Sequence, residues 1–142
     1  MGLTQSTTTK INFEDMQTVC KNPEVYLLIN TLPITEQGCL IRGTIGAENE
    51  EKIINQFIRT NKDVHIIFYG RNSNDETPVK KYQQLISLGF TNIYIYTGGL
   101  FEWLILQDIY GFEEFPTTSK QLDFLKYKPS PRLNVGLIEY SG

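Results

Sequence analysis

The sequence predicts an α/β fold in which a mainly parallel sheet is covered on its faces by helices. Three observations predict it. The runs VYLLIN (25–30), VHIIFY (64–69) and NIYIYT (92–97) are almost continuously apolar, the pattern of strands buried on both faces. Between and after them lie segments with helical spacing of apolar residues. Strand and helix therefore alternate along the chain, and alternation selects a parallel sheet with crossover helices. No internal repeat interrupts the pattern.

The elements follow in order. Asn12 is a helix cap for FEDMQTVC, with Asp15 three residues on completing a capping-box pattern. VYLLIN is the first core strand. Residues 31–46, punctuated by Pro33, Gly38, Gly43 and Gly46, form a long connection. ENEEKIINQFIRT then places Ile53, Ile54, Phe57 and Ile58 on one stripe, with acids in the first turn where they complement the helix dipole. VHIIFY is the second core strand, and it ends abruptly at Gly70 in the polar loop RNSNDET. Thr77-Pro78 reads as a cap and first helical residue, opening a helix that Gly89 closes. NIYIYT is the third strand. GGLFEWLILQDIYG turns tightly into a last helix that stops at Gly111, and TSKQLDFLKYK suggests a short helix ended by Pro129. The expected organisation is a flexible leader over 1–10, one domain over 11–128, and an extended tail over 129–142.

Bulk properties narrow the function classes. A chain of 142 residues fits one domain with a real core. Hydrophobic content of 40% and charged content of 20% describe an ordinary folded chain rather than a disordered one. The net charge of −3, with scattered cations, gives no footprint for nucleic acid. No apolar run approaches the roughly 20 residues of a membrane span. The N-terminus has no secretory layout, so Cys20 and Cys39 read as free thiols of a reducing, cytoplasmic compartment. MGLTQS also satisfies the pattern for myristoylation of Gly2 once Met1 is removed, against the plainer reading of a polar leader. With Lys10 the only nearby cation, a lone acyl chain would tether the protein weakly.

Three landmarks between residues 11 and 110 resemble a rhodanese (sulfurtransferase) domain. GCLIRGTIGA (38–47) resembles the family's Gly-His-Ile-x-Gly-Ala connection. IIFYG followed by a polar loop resembles the strand that delivers its active-site loop. LGFTNIYIYTGGLFEW (88–103) resembles its Gly-Phe-x-Asn-Val-Tyr-x-Leu-x-Gly-Gly-x-x-x-Trp ending, a long and specific match. The resemblance implies a three-layer α/β/α fold around the parallel sheet.

The same resemblance exposes departures from the family's chemistry. Active rhodaneses carry a cysteine where this chain has Gly70, and that sulfur attacks a donor and holds a persulfide, its thiolate stabilised by loop amides and a helix N-terminus. The loop Gly70, Arg71, Asn72, Ser73, Asn74, Asp75, Glu76 therefore reads as a degenerate active site. Arg71 matches the family, Ser73 stands where glycine is usual, and Asp75 stands where a cation often sits. The stretch from Gly70 to Gly89 is longer than the usual spacing. INTL (29–32) replaces the family's Asp-x-Arg. Asp75 and Glu76 suit the helix start but repel an anionic donor, so the anion cradle reads as a self-capped turn.

The expectation is thus a non-catalytic interaction or structural module, without a catalytic residue, cofactor or metal. Two alternatives stand beside it: a sulfurtransferase using Cys39, which falls at the place of the family's histidine, or Cys20; and a pseudo-active site at 70–78 that binds a small anion. His65 has no second ligand in view, and Ser73 has no visible base. Gly98 and Gly99 serve a tight turn, while Trp103 and Phe101 read as core. Helix 100–110 is apolar nearly all round, so something must cover it: the chain's own Phe112, Phe115, Leu122, Phe124 and Leu125, or a partner protein. The tail segment LNVGLIEY (133–140) reads as a docking peptide for a protein partner.

Overall fold

The computed structural model describes residues 8–133, and within them the alternation predicted from the sequence is realised. The elements are β1 (Lys10–Ile11), α1 (Phe13–Lys21), β2 (Tyr26–Asn30), α2 (Ala47–Thr60), β3 (His65–Tyr69), α3 (Thr77–Ser87), β4 (Ile93–Tyr96) and α4 (Gly99–Tyr110), with 3-10 turns at Ile34–Glu36 and Phe124–Tyr127. All strands are parallel, in the order β1-β4-β3-β2. Tyr26 to Asn30 of β2 pair residue by residue with His65 to Tyr69 of β3, and Ile66 to Phe68 pair with Ile93 to Ile95.

Side-chain alternation splits the strands between two cores. Leu27, Ile29, Ile66, Phe68, Ile93 and Ile95 face α2 and α3, where Ile54, Tyr82 and Leu85 are buried with Phe90. Leu28, Ile67, Tyr69 and Tyr96 face α1 and α4, where Met16, Val19, Leu100, Trp103 and Leu104 are buried. The result is the three-layer α/β/α arrangement. The expected capping box opens α1: Asn12 Oδ1 accepts the Asp15 N–H at 2.9 Å and the Asp15 carboxylate accepts the Asn12 N–H at 3.2 Å. Reciprocal caps of this kind are worth about 1 kcal/mol.

Four local expectations are corrected. The strand β1 lies partly in the stretch read as leader: Lys10 pairs with Ile95, and the Thr9 carbonyl accepts the Ile95 N–H at 2.8 Å. A two-residue strand has no run long enough to show a period. Thr77 is the first helical residue, not the cap; Glu76 occupies the cap position, and the oxygen that accepts the Thr77 N–H belongs to Asp75. TSKQLDFLKYK contains only the 3-10 turn at Phe124–Tyr127. Leu122 and Leu125 do not cover α4; they are 86% and 55% exposed.

The cover for α4 comes from the expected Phe115, buried, and Phe124, half-buried, together with the buried Tyr127, which the sequence did not single out. Phe115 meets the Trp103 ring edge-on at 5.0 Å, the Trp103 indole N–H donates to the Pro116 carbonyl at 3.1 Å, and Gln107 donates to the Phe115 carbonyl at 2.7 Å. The segment is anchored by a short antiparallel pairing, Arg42 N–H to Pro116 O and Thr118 N–H to Leu40 O. Phe112 lies under the cations of Arg42 and Lys120. Most of the apolar surface of α4 is thus satisfied within the chain, while Ile109 and Tyr110 at its end stay exposed.

Three buried tyrosines make this core sensitive to alkali. Burial pushes the phenols of Tyr69 and Tyr127 above their ordinary value, and burial followed by the neighbouring Glu102 does the same for Tyr96. The folded state holds these protons where the unfolded chain releases them, near pH 10. Stability is therefore fully present below about pH 10 and falls as pH rises beyond it. Melting temperature followed against pH, with phenolate absorbance read alongside, is expected to drop only above that point, with the last phenols ionising as the fold is lost.

Candidate functional site: the loop after β3

Strand β3 delivers the chain to Gly70 at the C-terminal edge of the sheet, the end at which open parallel sheets place ligands. The helix α4 meets the loop there from the other side. Its first N–H groups bind the loop's carbonyls, Leu100 N–H to Gly70 O at 3.0 Å and Phe101 N–H to Arg71 O at 2.8 Å. This close approach needs glycine at 99. Gly99 has φ +71°, and a Cβ there would lie 2.8 Å from the Asn72 backbone nitrogen.

The Asp75 carboxylate turns back into the loop. One oxygen accepts the Arg71 N–H at 2.9 Å; the other accepts the Thr77 N–H at 3.0 Å and the Thr77 hydroxyl at 2.8 Å. The Thr77 hydroxyl also lies 2.8 Å from that of Thr31. The first N–H of α3 and the N–H of Arg71 in the loop are therefore satisfied by a carboxylate of the loop itself. Gly70 is buried against it. A Cβ at Gly70 would come 2.3 Å from Asp75 Oδ2 and 2.9 Å from Pro78. Gly70 has no positive φ, so its backbone does not require glycine; the filled space around it does.

The remaining loop residues are tied to the C-terminal segment. Arg71 donates to Glu36 and to the Lys126 carbonyl, and its guanidinium stands 5.5 Å from the Tyr127 ring centre. At about a third exposed on each side, the Arg71–Glu36 pair contributes roughly 0–1 kcal/mol. The buried Asn72 donates to the Tyr127 carbonyl at 2.8 Å and accepts the Asn74 N–H at 2.9 Å. Ser73, Asn74 and Glu76 are exposed, and the Ser73 hydroxyl has no hydrogen-bond partner among the described residues. Across the sheet edge, buried Asn30 makes a neutral pair with Gln37, which in turn accepts the Ala47 N–H that opens α2. Tyr127 is a part of this site that sequence reasoning missed, and Gly99 was read as a turn residue without its contact to the loop.

Neither cysteine reaches the loop's hollow, which is lined by Arg71, Asn72, Asn74, Asp75, Lys128, Ser130, Pro131 and Arg132. Cys39 is buried, its thiol directed to the Ser119 carbonyl at 3.3 Å. Burial pushes the Cys20 thiol up to about 11 against a weaker opposing pull from Arg42, which keeps it a protonated, poor nucleophile at neutral pH. His65 is sandwiched in a row of aromatics, 6.0 Å from Tyr26 and 6.1 Å from Tyr94. Trp103 is buried and Phe101 half-buried. Gly2 and most of the tail segment 133–140 lie outside the described residues, and no helix among the described residues is long and apolar enough to cross a membrane.

Comparison with known proteins agrees with this fold. No curated protein matches the chain. Several solved structures show the same fold, three of which illustrate it. The BH2092 protein from Bacillus halodurans superposes with a TM-score of 0.58 at 18% identity, covering 73% of this chain and 74% of its own. The rhodanese-like domain of the Alr3790 protein from Anabaena sp. gives 0.54 at 20% identity over 90% and 96%. A thiosulfate sulfurtransferase from Pseudomonas aeruginosa gives 0.58 at 13% identity, covering 84% of this chain but 23% of that longer one. A family model for the rhodanese-like domain matches residues 35–106, half of the chain and the part that carries the loop after β3; the chain belongs to the rhodanese-like domain family.

Proposed function

We propose that this chain is a catalytically inactive member of its family, a pseudoenzyme serving as a protein-interaction or structural module in a reducing, cytoplasmic compartment. One observation supports this above the others: the Asp75 carboxylate fills the space that a side chain at position 70 would take, 2.3 Å from its Cβ. Sulfur transfer in the family needs a thiolate at the strand's end, held by loop amides. Here position 70 has no side chain, and the amides of Arg71 and Thr77 already hold a carboxylate. The same occupancy disfavours capture of a small anion at 70–78. Relocation of the chemistry to Cys39 is disfavoured by its burial and by its contact with Ser119.

Cyanide-dependent sulfur transfer from thiosulfate is the test. The unmutated protein and Cys39→Ala are expected to give the same rate as buffer alone. A rate above buffer that disappears in Cys39→Ala would overturn inactivity in favour of a relocated nucleophile.

A further inference from the structure

The hollow beside the degenerate loop carries a local charge opposite to that of the whole chain. The chain's net charge is −3, yet the side chains lining this hollow include Arg71, Lys128 and Arg132 against the single carboxylate of Asp75. Asp75 is committed to the Arg71 and Thr77 N–H groups, and Arg71 is committed to Glu36 and the Lys126 carbonyl. Lys128 and Arg132 are exposed and make no ion pair among the described residues. We propose that this hollow is a docking site for an acidic segment of a partner protein, with Lys128 and Arg132 as its principal contacts.

The spacing of the cations selects a chain of carboxylates over one small anion. Lys128 has extended backbone (φ −66°, ψ 155°), and Pro129 and Pro131 stiffen the stretch to Arg132. At about 3.1 Å per residue, four residues set the Cα atoms of Lys128 and Arg132 roughly 12 Å apart along the chain. The N–H groups of Arg71, Asn74, Asp75 and Thr77, which could otherwise help cradle a single sulfate or phosphate, are already bonded. Two carboxylates spaced along an extended peptide can each meet one of the two cations. Exposed Asn74 and Ser130 line the same hollow and offer hydrogen bonds to such a peptide's backbone. Contacts of this kind give salt-sensitive binding of modest strength, suited to reversible assembly.

The proposal rests on the interaction-module reading, so both are measured on one preparation: sulfur transfer tests inactivity, and peptide binding tests the hollow. The full chain is titrated with a short labelled Glu/Gly peptide, read by fluorescence anisotropy and by backbone amide shifts. Shifts are expected at 71–75 and at Lys128, Ser130 and Arg132, the residues of 128–132 that carry an N–H. K128E/R132E should weaken binding about tenfold or more while leaving the melting temperature unchanged, since both side chains are exposed. Raising salt should weaken binding in the unmutated chain. Absence of binding overturns the proposal, as does unchanged affinity in K128E/R132E. So does equal affinity for a Lys/Gly peptide or for a single-stranded oligonucleotide, or inorganic sulfate reproducing the same shifts at the same affinity.

Discussion

Gly70→Cys alone is expected to give no sulfurtransferase, whereas Gly70→Cys combined with Asp75→Gly is expected to gain one. In the single variant the new side chain enters space held by the Asp75 carboxylate and Pro78, and overpacking of this kind costs about 1–3 kcal/mol. A thiol there also faces a carboxylate, which opposes the thiolate that sulfur transfer requires. Removing the Asp75 side chain frees the Arg71 and Thr77 N–H groups at the mouth of α3, where they stabilise a thiolate as they now stabilise a carboxylate. That thiolate attacks the outer sulfur of thiosulfate; the sulfur–sulfur bond breaks, sulfite leaves with its electron pair, and a persulfide remains on the protein. Thiosulfate-dependent turnover in the double variant should exceed that of either single variant by about tenfold or more. Intact mass after thiosulfate treatment should show the added sulfur only in the double variant. If Gly70→Cys alone matches it, the Asp75 carboxylate is no obstacle to a nucleophile at this position, and occupancy of the pocket does not explain inactivity.

Trp103→Ala is expected to lower stability by about 3–5 kcal/mol, a large fraction of what a domain of this size possesses. Trp103 is fully buried where the sheet, α1, α4 and the C-terminal segment meet. Its truncation leaves a cavity between the rings of Tyr96 and Phe115 and removes one of the two hydrogen bonds to the Pro116 carbonyl, which keeps the Arg42 N–H. Because Phe115 and Tyr127 hold the segment that clamps Arg71 and Asn72, loosening should spread to the loop after β3. Denaturant unfolding reports the loss of stability, and amide exchange at 70–76 reports the spread. Exchange confined to the neighbourhood of Trp103 would show that the loop is held independently of this core.

The core strands and the three longer helices were legible because each carries a period or an unbroken apolar run. VYLLIN, VHIIFY and NIYIYT are five- or four-residue strands with a residue of margin at the ends. Asn12 and Asp15 announced α1 through local chemistry alone. Where pairing partners are distant, sequence fell silent. Lys10–Ile11 becomes a strand only because β4 offers a free edge, and Tyr127 becomes core only because α4 and Arg71 stand beside it. At the site, the glycine, the self-capping acids and the suitability of Asp75 for a helix start were all visible. The return of that carboxylate to the Arg71 N–H was not, since nothing in NSNDET specifies which N–H it meets. Gly99 showed as a turn residue, while its need for close backbone contact with Asn72 depends on two segments far apart in sequence.

The sealing of α4 by residues that come later has a bearing on biosynthesis. Trp103 is translated 24 residues before Tyr127, as 127 minus 103. At roughly 5–20 residues per second, ribosomes need on the order of 1–5 seconds to cover that interval. For that time the side of the Trp103 cluster that Tyr127 completes stays open. The parallel sheet can align earlier, but the layer of α1 and α4 closes only when the turn at Phe124–Tyr127 emerges.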